Sequence, residues 1–419
     1  MKIGSQIKNY CKNISCFRLF LIIECILITG FLTIDYLWGG RPFNLLMMSF
    51  LTRFGDYYMH IGFASVPFGT NIYEISNMAC FPPLAYLMYA ALARLCGFQA
   101  AEPSDMFEAQ SIGMNQIIFV LYNLFCILLL VYAVNLYIKK VEKSGFVRLV
   151  VFPAVLVFSY PFAFSSIQRG NSVMLTAILL SIAVMWKDDR SKVKRELAMI
   201  LIAVCAGLKI YPAVFGIMYL KEKRWKETIR LVIYGVVLFF VPFVFFGGTA
   251  ALSSFFNTIF ALYGEVHDCS VNGFVTLIVK GVFGRNTAMF ASIIQQAYLI
   301  ISLIAFFFAK SKRAEVLILS SLITVYVSSG WNYTCVYILP ALLMFLYEKD
   351  TQPVRIHYRR IPDILAFVML LIVFSRPFYA DFMLIYGSVI IISILYHWIT
   401  IALPLYRRLS KLFLTESAS

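Results

Sequence analysis

The sequence predicts an all-α integral membrane protein: a multi-span helical bundle with a large first extracytoplasmic loop and a re-entrant helix pair. Three observations carry that reading. Apolar residues make up 61% of the 419-residue chain and charged residues only 14%, with a mean hydropathy of +0.82. A soluble domain carries about 45–50% apolar and about 25% charged residues. Apolar stretches near the length of about 20 residues that crosses roughly 30 Å of hydrocarbon recur along the chain. Lys and Arg gather in short clusters between those stretches. Soluble enzymes, disordered chains and collagen-like or disulfide-rich secreted proteins are excluded on these grounds. The net charge of +15 raises nucleic acid as a partner, but cations clustered between spans orient a membrane protein instead. Nine cysteines form no CxxC pair, so neither a zinc nor a redox motif is present and no metal or cofactor is expected.

Full spans are expected at 17–38, 112–138, 149–166, 171–187, 225–246, 288–309, 314–330, 332–347, 361–377 and 382–405. The first is too long for a signal-peptide core and stays as an anchor. Seven segments (1–18, 139–148, 187–195, 221–230, 310–313, 349–360 and 407–411) hold 28 of the 36 basic residues. Short Lys/Arg-rich loops remain cytoplasmic, so all seven belong on one side. One crossing then fits between residues 39 and 139, and 112–138 is the better candidate. The stretch 81–97, opening on Pro82-Pro83, becomes a short helix at the outer surface within one loop, 39–111. The stretch 196–220 must enter and return, breaking at Lys209, Tyr211 and Pro212. Irregular backbone at that depth is tolerated where protein buries it or a cavity receives it. The chain reads as a single membrane domain over 1–419, with cytoplasmic tails at 1–16 and 406–419 and the later spans within 112–405.

Polar residues in the outer segments are the candidates for chemistry. Asp56 and His60 stand one helical turn apart, with Tyr57 between them. A partly desolvated carboxylate beside aromatic rings suits a general base; the alternative is an aspartate capping a helix that starts at Tyr57. Gln168, Arg169 and Asn171 form a turn able to bind phosphate or sugar hydroxyls, or simply an interfacial turn with a snorkelling arginine. Lys209 lies inside an apolar run, where an ammonium costs about 2.5–3.5 kcal/mol. It calls for a phosphate or a buried carboxylate. The third outer loop carries Glu265, His267, Asp268, Ser270 and Asn272, too few ligands for a metal site. Trp331 in Ser328-Ser329-Gly330-Trp331-Asn332-Tyr333 suits an interface belt or a carbohydrate wall.

The order of these pieces resembles the polyprenyl-phosphate-sugar-dependent glycosyltransferases of the GT-C superfamily. Within it, the chain most resembles the bacterial phosphatidylinositol-mannoside-type alpha-mannosyltransferases. The matching pieces are an outer-loop Asp followed by tyrosines, then Phe81-Pro82-Pro83-Leu84 and Gln168-Arg169-Gly170-Asn171. Gly207-Leu208-Lys209-Ile210-Tyr211-Pro212 with Lys223-Arg224-Trp225, Ser270-Val271-Asn272 and Ser329-Gly330-Trp331 complete the series, over about residues 30–345. The resemblance implies a GT-C-type bundle in the plasma (inner) membrane with both termini cytoplasmic and a cavity open to the outer face. It implies metal-independent inverting transfer of a sugar, commonly mannose, from a polyprenyl-phosphate donor to a glycolipid or glycan acceptor. Asp56 would be the general base, and Arg169, Lys209 and Arg376 would hold the donor phosphate. Tyr57, His60, Gln168, Asn171, Asp268 and Trp331 would line the substrate site. Relatives often place His after the Trp, where this chain has Asn332-Tyr333. A flippase of lipid-linked sugars would use the same cations without needing Asp56. A polysaccharide polymerase would place its large loop late rather than first.

Overall fold

The computed structural model describes residues 15–41, 44, 54–76, 78–100, 102, 106–263, 270–283, 288–327, 332–351, 360–375 and 382–416. Among them every regular element is helical. The main helices are α1 (Cys16–Leu37), α2 (Gly55–Ala64), α3 (Pro83–Leu95), α4 (Gly113–Ile138), α5 (Phe152–Phe158), α6 (Val173–Trp186), α7 (Lys192–Leu208) and α8 (Trp225–Phe240). They continue as α9 (Thr249–Tyr263), α10 (Val271–Phe283), α11 (Ala288–Phe308), α12 (Lys312–Val325), α13 (Leu339–Thr351), α14 (Arg360–Phe374) and α15 (Phe382–Glu416).

Among the described residues five helical stretches are long and apolar enough to cross a membrane: Cys16–Leu37, Gly113–Ile138, Trp225–Phe246, Met289–Phe308 and Ile385–Tyr406. The other expected crossings are shorter or broken, and proline accounts for much of this. Pro153 opens α5, Pro161 sits in the π-helical turn Tyr160–Ile167, and Pro340 lies at the start of α13. Proline lacks the N–H that would continue a preceding helix, so each break restarts the ladder. The apolar stretch expected at 196–220 is likewise a broken pair. α7 ends at Lys209, whose backbone is extended (φ −151°, ψ 128°). The chain returns through the 3-10 turn Tyr211–Gly216, with Pro212 in its first turn, and the short helix Ile217–Lys221. Two helices were not expected: α9 and α10 lie between the expected spans 225–246 and 288–309. Their apolar faces are interrupted by Ser, Asn and Gly often enough to hide the helical period from a span-length search.

Ion pairs gather the basic segments at one end of the bundle. Arg18 meets Glu142 at 3.0 Å, and Lys140 donates to the Tyr347 hydroxyl at 3.3 Å. The fully buried Lys187 pairs with Glu222 and with Asp188; Lys312 reaches Asp188 at 2.6 Å, and Lys221 reaches Glu315 at 2.7 Å. Arg313 pairs with Asp363 at 3.1 Å. These contacts link described parts of 1–18, 139–148, 187–195, 221–230 and 310–313 with the start of α14. The Ser144 amide first, and then Arg18, hold the Glu142 carboxyl below its usual range against the burial that pushes it up. Both ends of the broken pair lie here, because Glu222 returns to Lys187 beside the start of α7.

The opposite end is built from the first loop. Gly69 donates to the Phe245 carbonyl at 2.9 Å, and Asn71 donates to the Ser254 hydroxyl at 3.1 Å, tying the loop to α8 and α9. α3 buries Ala85, Tyr86, Tyr89, Ala90 and Ala93. It approaches α7 closely at Gly207, where a Cβ would come within 2.7 Å of Leu84 and 3.2 Å of the Leu238 carbonyl. Cys80 and Cys96, which flank α3, are not joined by a disulfide, in line with a helix that separates them.

Single cysteines introduced at Lys143 and Lys223 are expected to react with an impermeant thiol reagent from one side of the membrane, and one at Met78 only from the other. Reaction of positions 78 and 143 from the same side would contradict the two-ended arrangement.

Candidate active site

Helix α2 starts in an unusual way. Phe54 occupies the left-handed region (φ 62°) and caps the helix without a side-chain hydrogen bond. The first amides of a helix lack partners within it and need others. Here the turn between the π-helical segment and α6 supplies them. The Gln168 carbonyl accepts from Phe54 N–H at 2.8 Å, and the Arg169 carbonyl accepts from Tyr57 N–H at 3.2 Å. Asp56 therefore lies inside the first turn and is not the N-cap, so its carboxylate is free for other work. A negative charge there is also favoured by the helix dipole.

That carboxylate is held from both sides by the same turn. Asn171 Nδ2 donates to Asp56 Oδ2 at 2.9 Å, while Arg169 Nη1 stands 3.5 Å from Oδ1. The two side chains of the ion pair are only 11% and 14% exposed, which strengthens their attraction relative to a surface pair. Asn171 is itself oriented, since its Oδ1 accepts from Val173 N–H at 3.2 Å. In its ionised form a carboxylate only accepts hydrogen bonds and has about four lone-pair sites. Two protein donors leave room for a substrate hydroxyl.

Gly170 makes this docking sterically feasible. Its φ is +68°, and a Cβ would come within 2.5 Å of Tyr57 Cβ and 2.7 Å of Phe119 Cε2. Tyr57 is fully buried, with its ring against Phe119 and Tyr58. Its place is a packing one, under the turn. Gln168 is also buried and contributes its backbone carbonyl.

Lys209 sits at the break after α7, within electrostatic reach of Asp56. Its Nζ lies 3.2 Å from the centroid of the Phe81 ring and 5.6 Å from that of Tyr333. No carboxylate of the described residues is within ion-pair distance of it. The aromatic faces offset part of the cost of burying an ammonium. Phe81 also lies against His60, with centroids 4.0 Å apart and the rings tilted by 37°, and His60 Nδ1 is 3.3 Å from the Tyr86 hydroxyl. Burial, and then the charge of Lys209, push the His60 imidazole well below its usual range, so it is neutral at pH 7. His60 thus supports the aromatic wall under Lys209. The structure brings Asp56, Arg169, Asn171, Lys209, Phe81 and Tyr333 into one neighbourhood; Tyr333 interacts electrostatically with Asp56 and Arg169.

Other sequence candidates fall elsewhere. Ser270 accepts from Gly273 N–H at 3.0 Å at the start of α10, and Asn272 donates to Gln295 at 3.2 Å, so the polar atoms of this stretch pin α10 internally and to α11. Asp268, Trp331 and Arg376, with Glu265 and His267, lie outside the described residues. Sequence reasoning missed Tyr333 as a partner of Lys209 and the carbonyl capping of α2. The only signal for the first was an aromatic next to a Ser-Gly-Trp turn; the second is carried by backbone.

Gly170→Ala is expected to lower the melting temperature more than Gly97→Ala. Both glycines have positive φ, which costs an L-residue about 1–2 kcal/mol. Only Gly170 adds a clash, because nothing lies within 4 Å of a Cβ at Gly97. Equal losses would mean that the turn does not dock on α2 as described.

Searches of curated proteins and of solved structures gave no match. Comparison with protein-family models matches residues 80–329, more than half of the chain, to glycosyltransferase family 87. The matched stretch includes Phe81, Arg169, Gly170, Asn171 and Lys209, and Asp56 packs onto it from outside. A helical membrane bundle with a fixed carboxylate beside a cation is chemically suited to sugar transfer, and this chain belongs to glycosyltransferase family 87.

Proposed function

We propose that the protein transfers a hexose, with mannose the first candidate, from a polyprenyl-phosphate donor to a lipid-linked or glycan acceptor, with inversion. Transfer takes place at the extracytoplasmic face of the plasma membrane, with both termini and the basic end in the cytoplasm. The observation that carries this reading is an oriented carboxylate, Asp56, in the same neighbourhood as an ammonium, Lys209, that has no carboxylate within ion-pair distance among the described residues. The two lie at the end of the bundle opposite the basic network. The likeness to phosphatidylinositol-mannoside-type enzymes supports mannose and a lipid-phosphate donor.

In the reaction the acceptor hydroxyl oxygen attacks the anomeric carbon. Asp56 takes the hydroxyl proton, and the bond from that carbon to the phosphate oxygen breaks. The electron pair leaves with the polyprenyl phosphate, where negative charge grows. Lys209, preorganised on Phe81 and Tyr333, meets that charge in the transition state more than in the ground state. Arg169 and Arg376 complete the phosphate set. Arg169 already engages Asp56, so donor binding and base positioning share one guanidinium. Asn171 keeps the carboxylate aimed while the arginine adjusts. Asp268 and Trp331 line the acceptor side in this reading.

Asp56→Asn retains size and one acceptor oxygen but cannot take a proton. Transfer by the purified variant is expected to fall by about 10²–10⁴, with the melting temperature little changed. A near wild-type rate would remove Asp56 as the base. Lys209→Met is expected to lower kcat/KM for the donor by about ten- to a hundred-fold, the worth of one hydrogen bond to a charged group. An unchanged kcat/KM with a lowered melting temperature would make Lys209 structural.

A further inference from the structure

A cavity of about 150 Å3 opens at the basic end, between the α11–α12 junction, the start of α14 and the middle of α15. Lys310 and Arg313 supply its cations, Thr400 a hydroxyl, and Phe308, Leu403 and Pro404 an apolar wall. Asp363 also lines it and pairs with Arg313 at 3.1 Å, so those two charges offset each other. Lys310 has no carboxylate of the described residues within ion-pair distance. Its neighbours in the basic network differ in this respect: Lys187, Lys221, Arg224 and Lys312 are all paired within the protein. The described lining therefore carries one net positive charge at the polar edge of an apolar slot.

The slot adjoins exposed apolar surface on two of the stretches long enough to cross a membrane. On α11, Ile300, Ile304 and Phe307 are exposed; on α15, Leu395, Trp398, Leu405 and Tyr406 are exposed. Basic pockets between spans recognise anionic headgroups, while the apolar wall receives the acyl region. A soluble anion would gain nothing from Phe308 and Leu403. We propose that this cavity binds an anionic phospholipid, with its phosphodiester on Lys310 and the beginning of its acyl chains against Phe308 and Leu403. The site is separate from Asp56 and Lys209 and does not depend on the transfer reaction.

The test is native mass spectrometry of the full chain in detergent, titrated with phosphatidylglycerol or with phosphatidylcholine of the same acyl composition. The wild type is expected to bind phosphatidylglycerol more tightly. Lys310→Gln is expected to reduce that preference about five-fold, the worth of one basic residue at an anionic headgroup. Thr400→Phe, which fills the cavity from α15 and leaves Lys310 in place, is expected to abolish it. Lys143→Gln, exposed at the same end but outside the cavity, leaves it unchanged. Equal affinity for the two lipids in the wild type, or an unchanged preference in Lys310→Gln, would overturn the proposal. Displacement of phosphatidylglycerol by millimolar inorganic phosphate would also overturn it, assigning the site to a free phosphate.

Discussion

The contact on which the rest of the site depends is the docking of the 168–171 turn on the first turn of α2. Four interactions converge there: two carbonyls that cap the helix, and two side chains that hold its aspartate. The capping fixes the helix, and the helix fixes Asp56. Phe54 adopts a left-handed conformation at some cost, and Gly170 lets the turn approach without a Cβ. Strain of this kind persists only where surrounding structure over-determines it, and such places tend to be functional. A carboxylate placed by backbone carbonyls of another segment is held more firmly than one on a free loop.

The second constraint is electrical. The basic segments converge at one end of the bundle, where many of their described members find carboxylates. Lys209 is set apart from that network, placed by a broken helix pair whose two ends both return to the basic side. Its ammonium rests on Phe81 and Tyr333. Aromatic faces reduce the cost of burying the charge without neutralising it, which leaves it able to meet an anion. The break at Lys209 is buried in protein, the setting in which irregular backbone is tolerated within a membrane. The same arrangement ties fold to chemistry, since Phe81 supports Lys209 on one side and contacts neutral His60 on the other.

Much of the fold was legible in the sequence, because lipid imposes strong rules. The apolar runs, the clustered cations and the Pro212 break led to the bundle and the broken pair. Asp56, Arg169 and Lys209 were legible because a charge in or beside an apolar run is costly and calls for a reason. What was hidden lay in backbone and in long-range packing. Nothing local to Asp56 shows that Gln168 and Arg169 carbonyls cap its helix, so an N-cap role for Asp56 was a fair alternative. Nor does anything local to Tyr57 show that its ring packs against Phe119 under Gly170. The helices α9 and α10 escaped notice because their apolar faces are too short and too interrupted for a span search.

We propose that this membrane glycosyltransferase uses Asp56 and Lys209 for a single direct displacement on a lipid-phosphate sugar. The most direct measurement is the anomeric configuration of the product. Purified protein would be given polyprenyl-phosphate mannose of defined configuration and a glycolipid acceptor, and the new linkage read by NMR. Direct displacement gives a product whose anomeric configuration is inverted relative to the donor. Retention of configuration, or transfer from a nucleotide sugar but not from the lipid phosphate, would contradict it.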